Sequence, residues 1–227
     1  MSRLLALGCV MAMAACGSAE SGDDFGTGTN TLSVDARVEV DNVVMNAVDA
    51  NDFSTSFEVT VRRDGVPVVD AVVVMGSDGG DVELTLSSQT DGEYRGGQVA
   101  YHRGYSLDVD AGDDFIHGVR LVGPDIHAFA SPGMGETVQG GEDLLVTWDR
   151  KVEAEVASID ADEMDRIDIA DTGEFLIPAD GLEHDQGEVN ENRIRLWRSS
   201  HLVPDGGVPG SSFSIDIRNE IEILVAP

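Results

Sequence analysis

From Leu32 onward, apolar and polar residues alternate along the chain with a period of two. Val34, Ala36, Val38 and Val40 fall on one side of a segment, and Ser33, Asp35, Arg37 and Glu39 fall on the other. Because successive side chains of a strand point to opposite faces, this pattern predicts a strand with one face buried. Comparable segments occupy residues 57–61, 68–75, 82–86, 94–99, 105–109 and 115–122. Between them stand Arg63-Asp64-Gly65, Ser77-Asp78-Gly79-Gly80, Asp91-Gly92 and Ala111-Gly112-Asp113. These are turn sequences, in which glycine supplies positive φ and aspartate bonds its own backbone. Seven short strands at this spacing, with no long stretch of helical period, predict a β-sandwich over residues 32–122.

Gly123-Pro124 marks a domain boundary, since proline cannot continue a central strand. A second sandwich is predicted over residues 125–227. Its strands begin with residues 143–149, where Leu144, Val146 and Trp148 alternate, and continue through 151–157, 174–177 and 193–197. In the last segment Phe213, Ile215, Ile217, Ile221, Ile223 and Val225 share one parity, with Asn219 the only polar break. That segment is expected to close the second core. Residues 162–167 are expected to form a short helix.

Particular stretches add a likeness. Gly65-Val66-Pro67-Val68-Val69-Asp70-Ala71-Val72-Val73, Asp91-Gly92-Glu93-Tyr94 and Gly104-Tyr105-Ser106-Leu107-Asp108-Val109-Asp110-Ala111-Gly112 resemble the prealbumin-like or Ig-like sandwich modules of bacterial surface proteins. The likeness covers roughly residues 55–115, and it implies a module that is usually structural. Residues 143–149, DLLVTWD, following Gly140-Gly141, are similar to the second strand of fibronectin type III-like domains, in which a tryptophan anchors the core. The fold class expected is therefore all-β, with two tandem Ig-like β-sandwich domains.

Ahead of these domains the pattern is different. Arg3 precedes an unbroken apolar and small-residue run over residues 4–15, and polarity rises at Gly17-Ser18-Ala19-Glu20. This is the layout of a signal peptide, residues 1–15, and the run is too short for a spanning helix, which needs roughly 20 residues. Met13-Ala14-Ala15-Cys16 resembles the lipobox of bacterial lipoproteins, with Met13 departing from the usual leucine. Leu7-Gly8-Cys9 is a competing fragment whose apolar lead is too short. The resemblance implies cleavage between Ala15 and Cys16, a diacylglyceryl thioether and an N-acyl chain such as palmitate on Cys16, and an outer-membrane address, because residue 17 is Gly and not Asp. Several acyl chains, each methylene adding about 0.8 kcal/mol, make such an anchor stable. Residues 16–31, rich in Gly, Ser and Thr, are expected to be a lipidated flexible tether reaching about 20 Å r.m.s.. Cys9 and Cys16 are the only cysteines, so the processed chain has no thiol pair for a disulfide.

The net charge of −29 comes from 43 acidic against 14 basic residues, and Lys151 is the only lysine. Phosphate backbones are repelled by such a surface, which excludes nucleic acid as a partner and disfavours docking on anionic headgroups. The acid is interleaved with apolar residues and so marks solvated sheet faces.

Candidate chemistry is sparse. Asp171-Thr172-Gly173 spells the aspartic-protease signature, but that chemistry needs two carboxyls sharing a proton and the triplet occurs once, so a turn into a strand at 174–177 is expected. Asp49-Ala50-Asn51-Asp52, the group Asp108, Asp110, Asp113 and Asp114, and Asp160-Ala161-Asp162-Glu163-Met164-Asp165 cluster the hard oxygens calcium prefers, without EF-hand spacing. Solvated turns are favoured over a metal site. His102, His117, His127, His184 and His201 are scattered and show no zinc spacing. Arg193, Arg195 and Trp197 share a strand parity opposite Ile194 and Leu196, giving a cationic and aromatic stripe that either pairs with neighbouring carboxylates or receives a ligand. No nucleophile elbow, phosphate loop or dinucleotide fingerprint is present, so no enzyme activity and no cofactor is expected. The partners expected are the membrane, through lipid at Cys16, and proteins of the outer membrane or cell surface. The function expected is structural, adhesive or complex-assembling. The alternatives are a calcium- or glycan-binding recognition lipoprotein and a hydrolase with a motif-free site.

Overall fold

In a computed structural model, which describes residues 22–227, most alternating segments become strands whose apolar parity turns inward, but the strand expected over 151–157 begins only at Val156 and that expected over 68–75 only at Val72, Val152 being left exposed with nothing packed on it to hold a strand there. The leader, Ala15, Cys16 and the start of the tether lie outside the described residues. The first half of the fold comprises β1 (Asp24–Gly28), β2 (Leu32–Asn42), β3 (Phe53–Arg63), β4 (Val66–Pro67), β5 (Val72–Ser77), β6 (Gly80–Glu83), β7 (Thr85–Ser88), β8 (Glu93–Val99), β9 (Gly104–Ala111) and β10 (Asp114–Val122). The second half comprises β11 (Ala128–Ser131), β12 (Thr137–Gln139), β13 (Leu144–Asp149), β14 (Val156–Ala161), β15 (Met164–Ile169) and β16 (Glu174–Ile177). Two long strands, β17 (Asn190–Leu202) and β18 (Ser212–Ala226), complete it. Among the described residues the only helical element is a single 3-10 turn at Ala50–Asp52, and no helix is long and apolar enough to cross a membrane.

Three sheets form. A large one follows the path β15-β14-β17-β18-β2-β3-β8-β7, a second has the order β1-β10-β9-β5-β6, and a third has the order β11-β13-β16. One core joins Val34, Val38, Phe57 and Val59 of the large sheet to Val73, Met75, Leu107, Val109 and Ile116 of the second. The other joins Ile159, Ile194 and Leu196 of the large sheet to Phe129, Val146, Trp148 and Ile177 on the third. The chain is therefore all-β and folds as two sandwiches in tandem, as the strand pattern predicts.

The last strand departs from expectation in a way that joins the two halves. Phe213, Ile215 and Ile217 of β18 lie in the first core, and only Ile221, Ile223 and Val225 lie in the second. Fifteen residues at about 3.3 Å each span roughly 50 Å, too far for one core. The first half of β18 runs parallel to β2, pairing Ser212–Arg218 with Asp35–Asp41, and its end pairs with β12. Along its length β18 is antiparallel to β17. Each of those six apolar side chains, fully out of solvent, stabilises the fold by about 1.5–3 kcal/mol.

Two further expectations are corrected. Residues 162–167 are not helical: Met164–Ile169 form β15, which returns along β14 after a turn at Asp162-Glu163. As an edge strand β15 buries little, so it lacks the alternation that marks its neighbours. Part of the expected tether is also ordered, because Asp24–Gly28 form β1 on the edge of the second sheet, paired with β10. Its glycines serve close approach rather than freedom: a Cβ on Gly28 would sit 2.5 Å from the Phe115 carbonyl oxygen. The segment is held further by Asn30 N–H donating to Gly206 O at 2.7 Å and by the Thr31 hydroxyl donating to Asp114 at 2.7 Å.

Candidate functional site

Strand β17 distributes its polar residues to two opposite faces. Asn192, Ile194, Leu196 and Arg198 point inward, while Arg193, Arg195 and Trp197 point outward, the latter as the sequence pattern predicts. The outward arginines meet carboxylates of adjoining strands. Arg195 pairs with Asp160 at 2.7 Å and with Asp162 at 3.0 Å, and Arg193 approaches Glu222 at 3.7 Å. Burial pushes the Asp160 carboxyl above its ordinary pKa, and the charge of Arg195 offsets only part of that push. Trp197 is covered by Arg166 of β15, whose guanidinium carbon lies 4.1 Å from the ring centroid. That contact fits a cation–π stack.

Beside Trp197 the large sheet carries a groove of about 400 Å³. The register explains its composition. Trp197 stands opposite Arg218 of β18, which stands opposite Asp41 of β2, and the next row toward the first lobe is Ser199, Asp216 and Glu39. The floor is thus Ser214, Asp216 and Arg218, one wall is Trp197 with Arg166, and the other is Arg37, Glu39 and Asp41. Arg166 Nε donates to Ser158 Oγ at 2.6 Å, Arg218 Nε lies 3.1 Å from Asp41, Arg37 pairs with Asp35 at 3.0 Å, and the Ser199 hydroxyl meets Asp216.

No family model matches the chain. No curated protein matches it either. Among solved structures, similar chains are that of DIP-gamma IG1+IG2, at 7% identity and TM-score 0.23 over 85% of this chain and 98% of that one, and that of Dpr11 IG1 bound to DIP-gamma IG+IG2, at 10% identity and TM-score 0.24 over 85% and 100%. A beta-1,2-glucanase from Parabacteroides distasonis follows at 9% identity and TM-score 0.18, over 87% of this chain and 38% of its own. At these TM-scores none of the three assigns a family, a ligand or a reaction.

Inward from β17 lies a cluster that the alternation pattern did not single out. Arg198 is fully buried where the two cores meet, with Nε donating to Asp171 at 2.9 Å and Nη1 to the Asp125 carbonyl at 2.7 Å. Both Nη groups reach the Asp125 carboxylate at 3.2 Å, and Nη2 also donates to Val152 O. Burial works to raise the Asp171 carboxyl, but the N–H of Ala154, the indole of Trp148 and the charge of Arg198 outweigh it, so its pKa falls below the ordinary value. Asp125 is likewise held down, against burial, by the N–H of Lys151, by Arg198 and by the N–H of Val152. His127 is completely buried beside them, with Nε2 3.1 Å from the Leu196 carbonyl and Nδ1 without a hydrogen-bond partner among the described residues. Asn219, the polar break in β18, accepts from the Ala47 N–H through Oδ1 and donates through Nδ2 to the Ala47 carbonyl and, at 2.7 Å, to the His127 carbonyl.

The Asp-Thr-Gly triplet accordingly sits in a turn before β16, with its carboxylate occupied by Trp148, Ala154 and Arg198. The acidic clusters separate to different partners. Asp52 accepts from the N–H groups of Val48 and Asp49, Asp108 from that of Gly118, Asp110 meets His117 at 2.8 Å, and Asp114 pairs with Arg63 at 2.6 Å. Asp113 lies in the turn between β9 and β10, and Asp160 and Asp162 hold Arg195. Among the described residues no group of three His, Cys, Asp or Glu side chains is placed to hold a metal. Ala15 and Cys16 lie outside the described residues.

Proposed function

We propose that this chain is a lipid-anchored protein of the outer membrane or cell surface, a rigid two-sandwich body with a structural, adhesive or complex-assembly role. The observation that carries the reading is the sharing of β17 and β18 between both halves. Hinging at Gly123-Pro124 would require bending the β17–β18 ladder and opening a bonded seam, with Gly123 N–H donating to Arg103 O at 2.6 Å and the Tyr101 hydroxyl donating to Pro124 O. A body that holds its shape presents a partner surface without the ordering cost a hinged pair incurs on binding. Ordering of β1 supports a short standoff: residues 17–23 alone separate Cys16 from the fold and reach at most roughly 25 Å.

The test compares the full chain with its Cys16→Ser form in cells. The parent is expected to take up labelled lipid, to fractionate with membranes and to cross-link to a defined envelope partner, whereas Cys16→Ser loses the first two. Retention of Cys16→Ser in membranes would refute the anchor. Turnover of any member of a glycoside, ester or peptide substrate panel would refute the non-enzymatic role.

A further inference from the structure

The groove beside Trp197 contains hydrogen-bonding groups that the protein itself leaves unmatched. The indole N–H of Trp148 is held by Asp171 at 3.0 Å, but among the described residues no acceptor meets the indole N–H of Trp197. The Arg218 side chain donates no hydrogen bond among the described residues, although its buried Nε lies 3.1 Å from Asp41. The Glu39 carboxylate on the opposite wall accepts no hydrogen bond among the described residues.

The charges define what fits. Arg37, Arg166 and Arg218 are interspersed with Glu39, Asp41 and Asp216 around the groove, a local balance within a chain of net charge −29. An anion entering would meet three carboxylates and the field of the whole chain, and a cation would meet three guanidiniums. A neutral molecule bearing groups that both donate and accept satisfies both kinds of group. We propose that this groove binds a neutral saccharide, whose hydroxyls accept from Trp197 Nε1, Arg166 and Arg218 and donate to Glu39 and Asp216. The lining is mostly polar, unlike the apolar walls usual for small-molecule sites, and so suits a hydroxyl-rich ligand. The inference goes beyond the assembly role and holds whether or not Cys16 carries lipid, so the two fail separately.

The test uses the full chain in detergent on an array of glucan, mannan, galactan and chitin oligosaccharides printed beside sialylated and sulfated glycans. Neutral glycans are expected to be retained, and titration with a retained oligosaccharide is expected to change tryptophan fluorescence. Trp197→Ala and Glu39→Ala are each expected to weaken that affinity by about tenfold or more. Glu39 is solvent-exposed, so Glu39→Ala keeps the parent melting temperature and carries the test if Trp197→Ala folds poorly. Retention of no neutral glycan, retention of acidic glycans alone, or undiminished affinity in Glu39→Ala overturns the proposal.

Discussion

Replacing Arg198 with alanine leaves the Asp125 carboxylate in the protein interior without its counter-charge and Asp171 with only Arg150, at 3.9 Å. Removing one partner of a buried ion pair costs about 3–5 kcal/mol, because the remaining charge stays desolvated. Here Asp171 keeps the Trp148 indole and the Ala154 N–H, and Asp125 keeps the N–H groups of Lys151 and Val152, which moves the cost toward the lower end. The cavity left by the largest fully buried side chain in the fold moves it back up. We expect a loss of about 4 kcal/mol, measured by urea unfolding at neutral pH, and a fall in Tm of roughly 10 °C for a domain of this size. The triple variant Arg198→Met, Asp125→Asn, Asp171→Asn removes all three charges and is expected to recover most of the loss, since the stranded carboxylates cause it. Unfolding of the parent is expected as one transition, because β17 and β18 belong to both cores. A loss below about 1 kcal/mol for Arg198→Ala, or a triple variant no better than the single one, would refute the electrostatic argument. Two transitions with only one displaced would refute the joint between the cores.

Three further outcomes are expected. Burial, aided by the charge of Arg198, pulls the His127 pKa down to about 4 from 6.5. Above pH 6.5 the ring is neutral in both states and contributes nothing to the pH dependence, and below it the unfolded chain takes up the proton first. Stability is thus expected to fall by about 2.5 kcal/mol between pH 7.5 and 4.5, with the loss levelling off below the folded pKa. Urea midpoints at the two values measure this, and a His127→Gln variant with an undiminished fall would contradict it. Asn219→Ala strands the N–H and carbonyl of Ala47 and is expected to cost about 3 kcal/mol; a urea midpoint within error of the parent would show that water replaces the amide. Gly206 has φ +80, and a Cβ there would lie 2.0 Å from Gly28 N, so Gly206→Ala is expected to cost about 2 kcal/mol and to speed amide exchange in β1. Unchanged exchange over residues 24–30 would show β1 to be held some other way.

How much of this was legible depended on burial. Strands with one dry face, such as β2, β3 and β18, show it as strict alternation, and these were plain in the sequence. β1 was not, because its only large apolar residue, Phe25, is 51% exposed, and its glycines resemble those of a linker until the backbone of β10 is placed against them. β15 was missed because a solvated edge has no dry face to report. Alternation also says which side of a strand is buried without saying which strand lies beside it. The parallel pairing of β18 with β2 joins residues almost the whole chain apart, and nothing local encodes it. Asn219 was visible as the one polar break in β18, and the structure gives it meaning as the place where one core ends and the next begins.

The site shows the same limit at the scale of a single residue. Parity alone placed Arg193, Arg195 and Trp197 on the outer face, but the groove depends on Arg166 and Arg218, which reach Trp197 only through the register of β15 and β18. Parity also puts Arg198 with Ile194 and Leu196, and a charge on a buried parity is by itself a sign of an internal ion pair. Its partners could not be named, since Asp125 and Asp171 lie 73 and 27 residues away. Trp197 and Arg198 are neighbours on opposite faces, and a one-residue slip of β17 would exchange them. Such a slip would put the indole among carboxylates and the guanidinium in water, with Ile194 and Leu196 exposed as well. The register of β17 is therefore fixed by its interior, and the groove on the outer face inherits its geometry from that interior, so a substitution that shifts the strand should abolish the Arg198 junction and the Trp197 groove together.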